Sequence, residues 1–348
     1  MKFSLLVKGV TTIGLIVLVT GCGNSTKSPA AVLARSASRG TEAYVCNFGY
    51  DDQPGTTVTA VDLATGRVSR SATTGSLPSA VAATPDGRLL LVTDQGDDNL
   101  AVLSAATDRV LAHIPTGVEP DAVAVTPDGT IALVANVDDD TVTPIDLTTL
   151  RAGRPIPVGS RPDALAIGGP GGRTALVANL EGNTVTPVNL TTMTPGTPIP
   201  VGMEPDAVAI TPDGADALVA NLGSGTVTPI DLASLRADLT VAVGPGPTGL
   251  AVTSSGPGGS PTAWVTAGVD LVPLKLSNLS LLLPLSVGTP LPVGHLAEAV
   301  AVTADGATAW VAGQDATLTP VDLTTGVRGR SIDVGGRPAA VVIPPARH

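Results

Sequence analysis

Three histidines, one short acidic run and a recurring Pro-Asp pair are the residues whose types and spacing point to chemistry. His295 stands three residues before Glu298, and an imidazole beside a carboxylate is a way to hold a divalent metal or pass a proton. The other two histidines have no such neighbour: His113 sits in an apolar-alternating run that reads as an outer strand, and His348 is the last residue. Asp138-Asp139-Asp140 invites a calcium site, but the twelve-residue loop spacing and its closing Glu are missing, so a solvated acidic loop competes with it. Asp121, Asp163 and Asp206 each follow a proline, and they either converge on a ligand or cap nearby backbone as Asx turns do. There is no Gly-x-Ser-x-Gly elbow, no HExxH helix and no phosphate-cradling glycine loop. Cys46 lies inside an apolar run and reads as a small buried hydrophobe rather than a nucleophile.

Composition narrows the partners. Lys plus Arg number 19 against 30 acids, for a net charge of −11, so counterion release from nucleic acid is not this chain's chemistry. Charged residues are only 14% and aromatics 2% of the 348 residues, which excludes a charge-rich disordered chain and leaves Val, Leu, Ile and Ala to fill any core. Forty glycines and 31 prolines imply many turns.

Residues 1–21 combine a basic start, Lys2 and Lys8, with an uncharged stretch from Gly9 to Gly21 that is too short to span a bilayer comfortably. It ends in Val19-Thr20-Gly21-Cys22, which resembles the bacterial lipobox. That resemblance implies a lipoprotein signal peptide over 1–21, diacylation of Cys22 and an exported protein held on the outer side of the membrane by two acyl chains. Residues 22–43 then read as the lipidated Cys and a flexible tether, small, polar and without period.

The dominant signal is internal repetition, which decides what must position the candidate residues. LPSAVAATPDG from Leu77, EPDAVAVTPDG from Glu119, RPDALAIGGPGG from Arg161 and EPDAVAITPDG from Glu204 are copies, with weaker ones from Gly246, Leu296 and Arg337. Their second positions fall at 78, 120, 162, 205, 247, 297 and 338, a period of about 42 with one long interval in the sixth unit. Each unit holds four short β-type runs; in the third they are 121–125, 131–135, 141–147 and 155–158, the first two joined by Thr126-Pro127-Asp128-Gly129. Four strands per 42 residues predicts an all-β, seven-bladed propeller over 44–348, with four antiparallel strands per blade. The first unit starts at its second strand, Tyr44–Asn47, and the chain ends on an unpartnered first strand, 338–343, so the last strand is expected to complete blade 1 and close the ring.

Tyr44-Val-Cys-Asn47, the recurring LVAN, the TPDG turns and the TVTPIDL third strand resemble the YVTN-family β-propeller repeats of bacterial surface proteins. The resemblance spans 44–348 and implies an exported or surface-layer propeller without an assigned reaction. The chain departs from the pattern in carrying Pro144, Pro187, Pro229, Pro273 and Pro320 in third strands, where the first two blades have Ala60 and Val102. A proline cannot donate to a ladder, so a bulge or weakened link to the outermost strand is expected.

In an up-down blade, the second-to-third loops and the blade-to-blade connections share one face of the disc, and the TPDG turns take the other. The first face therefore collects Asp138, Asp139 and Asp140 with Asp121, Asp163, Asp206 and Glu298, countered mainly by Arg161 and Arg337. The expectation is a negative channel mouth that attracts a cationic ligand, a basic partner or a divalent cation. The reading that follows is a monomeric, lipid-anchored binding module at the cell envelope, whose partner is an envelope protein, cationic ligand or surface polymer, with no obligatory cofactor. The alternatives are a metal-dependent propeller hydrolase or lyase of lactonase type, using His295 and Glu298, and a structural coat protein.

Overall fold

The computed structural model describes residues 42–50, 53–254, 256, 260–276 and 285–345. The expected signal peptide over 1–21, Cys22, most of the expected tether, His348 and part of the long sixth unit lie outside the described residues. The remainder is a ring of seven antiparallel sheets around a central axis. Blade 3 shows the unit: Pro120–Val125 innermost, then Ile131–Asn136 and Thr141–Asp146, with the rim formed by two fragments, Arg151–Ala152 and Ile156–Pro157. The expected limits of the first three strands hold to within a residue. The fourth begins earlier than expected, because Arg151 and Ala152 already pair with the third strand.

Ring closure follows the repeat arithmetic. Pro338–Val342 pairs antiparallel with Glu42–Tyr50, matching Tyr44 to Val342 and Cys46 to Ala340, so the last strand is the innermost strand of blade 1. Gln53–Asp62 and Arg67–Thr73 complete that sheet.

The inner strands carry no polar alternation. All six residues of Pro120–Val125 are buried, as are all seven of Pro162–Gly168, because each blade packs against a neighbour on both faces. Close apposition near the axis selects Ala and Val, whereas the second strand, farther out where blades diverge, takes Leu91, Leu133, Leu176 and Leu218. Trp264 and Trp310 occupy the equivalent positions in blades 6 and 7 and supply the bulk. Each such side chain stabilises the ring by roughly 1.5–3 kcal/mol.

The third-strand prolines account for the split rim. Pro144 pairs with Leu133 on its inner side, and outward its carbonyl accepts the Gly153 N–H at 2.7 Å. The missing N–H removes the second bond of that rung, and the pyrrolidine ring pushes the rim strand outward between Ala152 and Ile156. Glycine stands opposite in four blades: a Cβ at Gly153 would lie 3.1 Å from Pro144 Cγ, and Gly196, Gly288 and Gly329 face Pro187, Pro273 and Pro320 in the same way, while in blade 5 Asp238 takes that place and donates its N–H to the Pro229 carbonyl at 2.8 Å. Blades 1 and 2, with Ala60 and Val102, keep unbroken rim strands over Arg67–Thr73 and Val110–Pro115.

Candidate functional site

The second strand ends in asparagine in four blades, and at Asn136 and Asn179 the side chain is an inter-blade clip. Asn136 donates through Nδ2 to Thr141 Oγ1 (3.0 Å) and Thr143 Oγ1 (2.8 Å), while its Oδ1 accepts the Gly117 N–H (3.0 Å) from the incoming connection. Asn179 repeats the set with Thr184, Thr186 and Gly159. This explains why LVAN and TVT travel together in the sequence. Blade 7 has Gly313 at the asparagine position, and His295 fills the space: its Nε2 is 3.0 Å from Thr319 Oγ1, and a Cβ on Gly313 would collide with the imidazole.

That placement corrects the expected His295–Glu298 pairing. The two do not hydrogen-bond each other. Glu298 Oε1 instead accepts from Arg337 Nη2 at 2.7 Å and from Gln314 Nε2 at 2.5 Å. Among the described residues, no group of three or more His, Cys, Asp or Glu side chains is arranged to hold a metal ion. Cys46 is free and wholly buried, and burial holds its thiol well above the usual range.

The loop acids are committed to backbone. Asp139 Oδ2 accepts the Val118 N–H at 2.8 Å and Asp140 Oδ1 accepts the Arg161 N–H at 2.8 Å, each 21 residues away. Asp97 and Asp98 do the same for Ser76 and Glu119. In blades 2 and 3 the second-to-third loop thus clasps the connection before it and the one after it. Arg161 and Glu119 need the help, since their φ values of 56° and 52° are left-handed. For Asp139 and Asp140 the capping role is the observed one; Asp138 is exposed.

Asp121, Asp163 and Asp206 behave differently. They occupy the second position of three consecutive inner strands, in a ring completed by Ser79, Thr248, Glu298 and Ala339. The expected solvent-facing rim is corrected here: the side chains turn toward the axis and are 0% exposed, because neighbouring inner strands close over them. Asp163 and Asp206 have no partner outside the cluster and instead share hydrogen bonds along the series Asp121–Asp163–Asp206, while Asp121 also accepts from Gln95 Nε2 at 3.2 Å. Burial, followed by the adjoining carboxylate, raises Asp121 and Asp163 well above the usual carboxylate range; burial likewise raises Asp206, with Glu298 adding to it. Burial of three adjoining carboxyls favours their protonated forms. The uncompensated negative funnel anticipated from the charges is therefore reduced. Above the ring, Arg337 and Arg161 are partly exposed, Arg337 on Glu298 and Arg161 3.8 Å from Glu181.

Two of these features were invisible in the repeat pattern: the sealing of the aspartates, and His295 standing in for an asparagine. The glycine at 313 was the one available signal for the second.

Comparison with known proteins agrees with this architecture. Residues 42–150, the first two blades and most of the third, match the family model described as lactonase, 7-bladed beta-propeller. No curated protein matches the sequence. Among solved structures, the Pseudomonas aeruginosa periplasmic gluconolactonase superposes with a TM-score of 0.71 at 18% identity, covering 88% of this chain and 99% of that one. A putative 6-phosphogluconolactonase from Bacteroides fragilis gives 0.71 at 17%, covering 88% and 99%. Kuenenia stuttgartiensis hydrazine synthase gives 0.67 at 20%, covering 77% and 90%. Such identities speak to the fold alone, and proteins with unrelated names share it. The chain is a seven-bladed β-propeller whose first three blades resemble the lactonase propeller family.

Proposed function

We propose that this protein is an exported lactone hydrolase working at the channel mouth that carries Arg161, Arg337 and Glu298. The match of residues 42–150 to the lactonase model is the observation that carries the reading. The chemistry of the mouth is compatible with it. Opening a cyclic ester needs a base to take a proton from water, a cation beside the oxyanion of the tetrahedral intermediate, and an acid for the leaving alkoxide. We assign the base to Glu298, which Arg337 and Gln314 orient, and the oxyanion contact to the two guanidinium groups. The protonated aspartates beneath would supply the returning proton. Water adds across the acyl C–O bond and a hydroxy acid leaves. The Val19–Cys22 lipobox supports placing the protein on the outer side of the membrane through a diacylated Cys22.

The test is proton release from a panel of γ- and δ-lactones, gluconolactone included, using the full chain. Ring opening that falls about a hundredfold in Arg337→Gln, with an unchanged melt, supports the reading. No turnover above the buffer rate for any lactone overturns it. A second reading, a binding module for a cationic ligand or envelope polymer, is favoured by the exposed acids Asp97, Asp98, Asp138, Glu181 and Glu204 around the same mouth. Salt-sensitive binding of an oligolysine probe without lactone turnover would select it.

A further inference from the structure

Blade 2 breaks the asparagine clip in a coordinated way. Asp94 stands where Asn136 and Asn179 stand, and Asn99 and Ala101 replace the two threonines that receive the clip elsewhere. The Asp94 carboxyl is 0% exposed and accepts no hydrogen bond of full geometry; the Thr74 hydroxyl and the Gly75 N–H are its nearest donors, and burial outweighs them. It lies against the connection arriving from blade 1: a Cβ on Gly75 would sit 2.6 Å from both Asp94 Cγ and Oδ2. The glycine N–H that an asparagine would accept is thus beside a carboxyl group instead. His113, from the rim strand, brings Nδ1 to 4.0 Å from Asp94 Oδ2 and 3.1 Å from Asn99 Oδ1, with its side chain 47% exposed.

Thr74 and Gly75 are the donors nearest this carboxyl, and both oppose the upward pull of burial. Asp97, in the following loop, is a like charge whose Oδ2 already accepts the Ser76 N–H. Cys46 of blade 1 is a buried thiol that feels the Asp94 charge. Thr74, in the connection, is a buried hydroxyl without a partner of good geometry. Asn99 and Ala101 are uncharged. A protonated Asp94 has the shape and neutrality of asparagine, so it fills the clip position at no electrostatic cost. An ionised one is a buried charge beside a like charge, with one half-exposed imidazole to offset it.

We propose that the junction between blades 1 and 2 is a pH-responsive latch, closed by neutral Asp94 and loosened when that carboxyl ionises.

The direction follows from linkage. Burial raises Asp94 to about 7 from an ordinary 3.8. The closed junction keeps its proton through that window and the open one loses it, so closure is tightest at the acid end, weakens as pH rises, and is fully weakened above about 7. The upper bound is a tenfold rise in the opening constant per pH unit within the window. An exported protein meets the external pH directly, which is where such a latch has a use.

Hydrogen exchange of the full chain from pH 4.5 to 8.5, corrected for the intrinsic rate, reads the latch through peptides covering 73–80 and 92–100. The equivalent blade 5–6 connection, 242–249, which holds no titratable side chain, serves as the internal control. Protection at the first two should fall with pH and level off near 7, while the control stays flat. Asp94→Asn should abolish the dependence. A pH-independent profile in the unaltered protein, or the same profile in Asp94→Asn, overturns the proposal. Neither result depends on lactone turnover.

Discussion

Replacing Asn179 by alanine measures what the clip contributes. The side chain is wholly buried and makes three bonds: to Thr184 Oγ1 at 3.0 Å, to Thr186 Oγ1 at 2.9 Å, and from Gly159 N at 3.1 Å. Thr186 is 1% exposed, so its hydroxyl loses its donor where water does not reach; leaving such a group unpaired costs about 1–3 kcal/mol. The Gly159 N–H and Thr184 are only half-buried and recover part of their loss from solvent. Adding a modest term for the space vacated gives about 3 kcal/mol in total. Urea unfolding should show the midpoint falling with little change in slope. Thr186→Val alone should cost less, because Asn179 keeps Thr184 as acceptor. The double variant should cost less than the sum of the singles, by about 1 kcal/mol, since the two groups satisfy each other. Strict additivity, or a loss under about 0.5 kcal/mol for Asn179→Ala, would refute the clip.

Three further outcomes follow from the same geometry. Two aspartate populations titrate with opposite sign: burial raises Asp121, Asp163 and Asp206, whereas Thr and backbone donors lower the turn carboxyls Asp128, Asp213 and Asp305. Stability should therefore fall as pH rises above the ordinary carboxylate range and fall again as the turn acids protonate below it. Melts of Asp163→Asn should flatten the alkaline limb and leave the acid limb unchanged. Deleting residues 337–348 removes the inner strand of blade 1, including buried Val341 and Val342, its ladder to Tyr44–Asn47 and the Arg337–Glu298 pair; it should cost more than about 5 kcal/mol and abolish the cooperative melt. Cys22→Ser should move the protein from the membrane to the soluble fraction without altering its melt, and persistence in salt-washed membranes would exclude the lipid anchor.

The third-strand prolines show where pattern reading succeeds. Their recurrence at Pro144, Pro187, Pro229, Pro273 and Pro320 announces a disturbed rim, because a missing N–H is a property of the residue itself. The aspartates show where it stops. Asp121 and Asp139 are alike in sequence, yet one is sealed on the axis without a backbone bond and the other caps Val118 in the open.

Blade number, strand order and closure by the last strand were legible from the chain alone, since a 42-residue period of four short strands reports purely local propensities repeated seven times. Tertiary structure alone decided what the side chains meet. The partners of Asp94, Asp163 and His295 include residues from neighbouring blades or distant strands, such as Gly75, Asp206 and Thr319. Exposure, and with it protonation, depends on how closely seven sheets approach one axis, a property of the closed ring that no single repeat encodes.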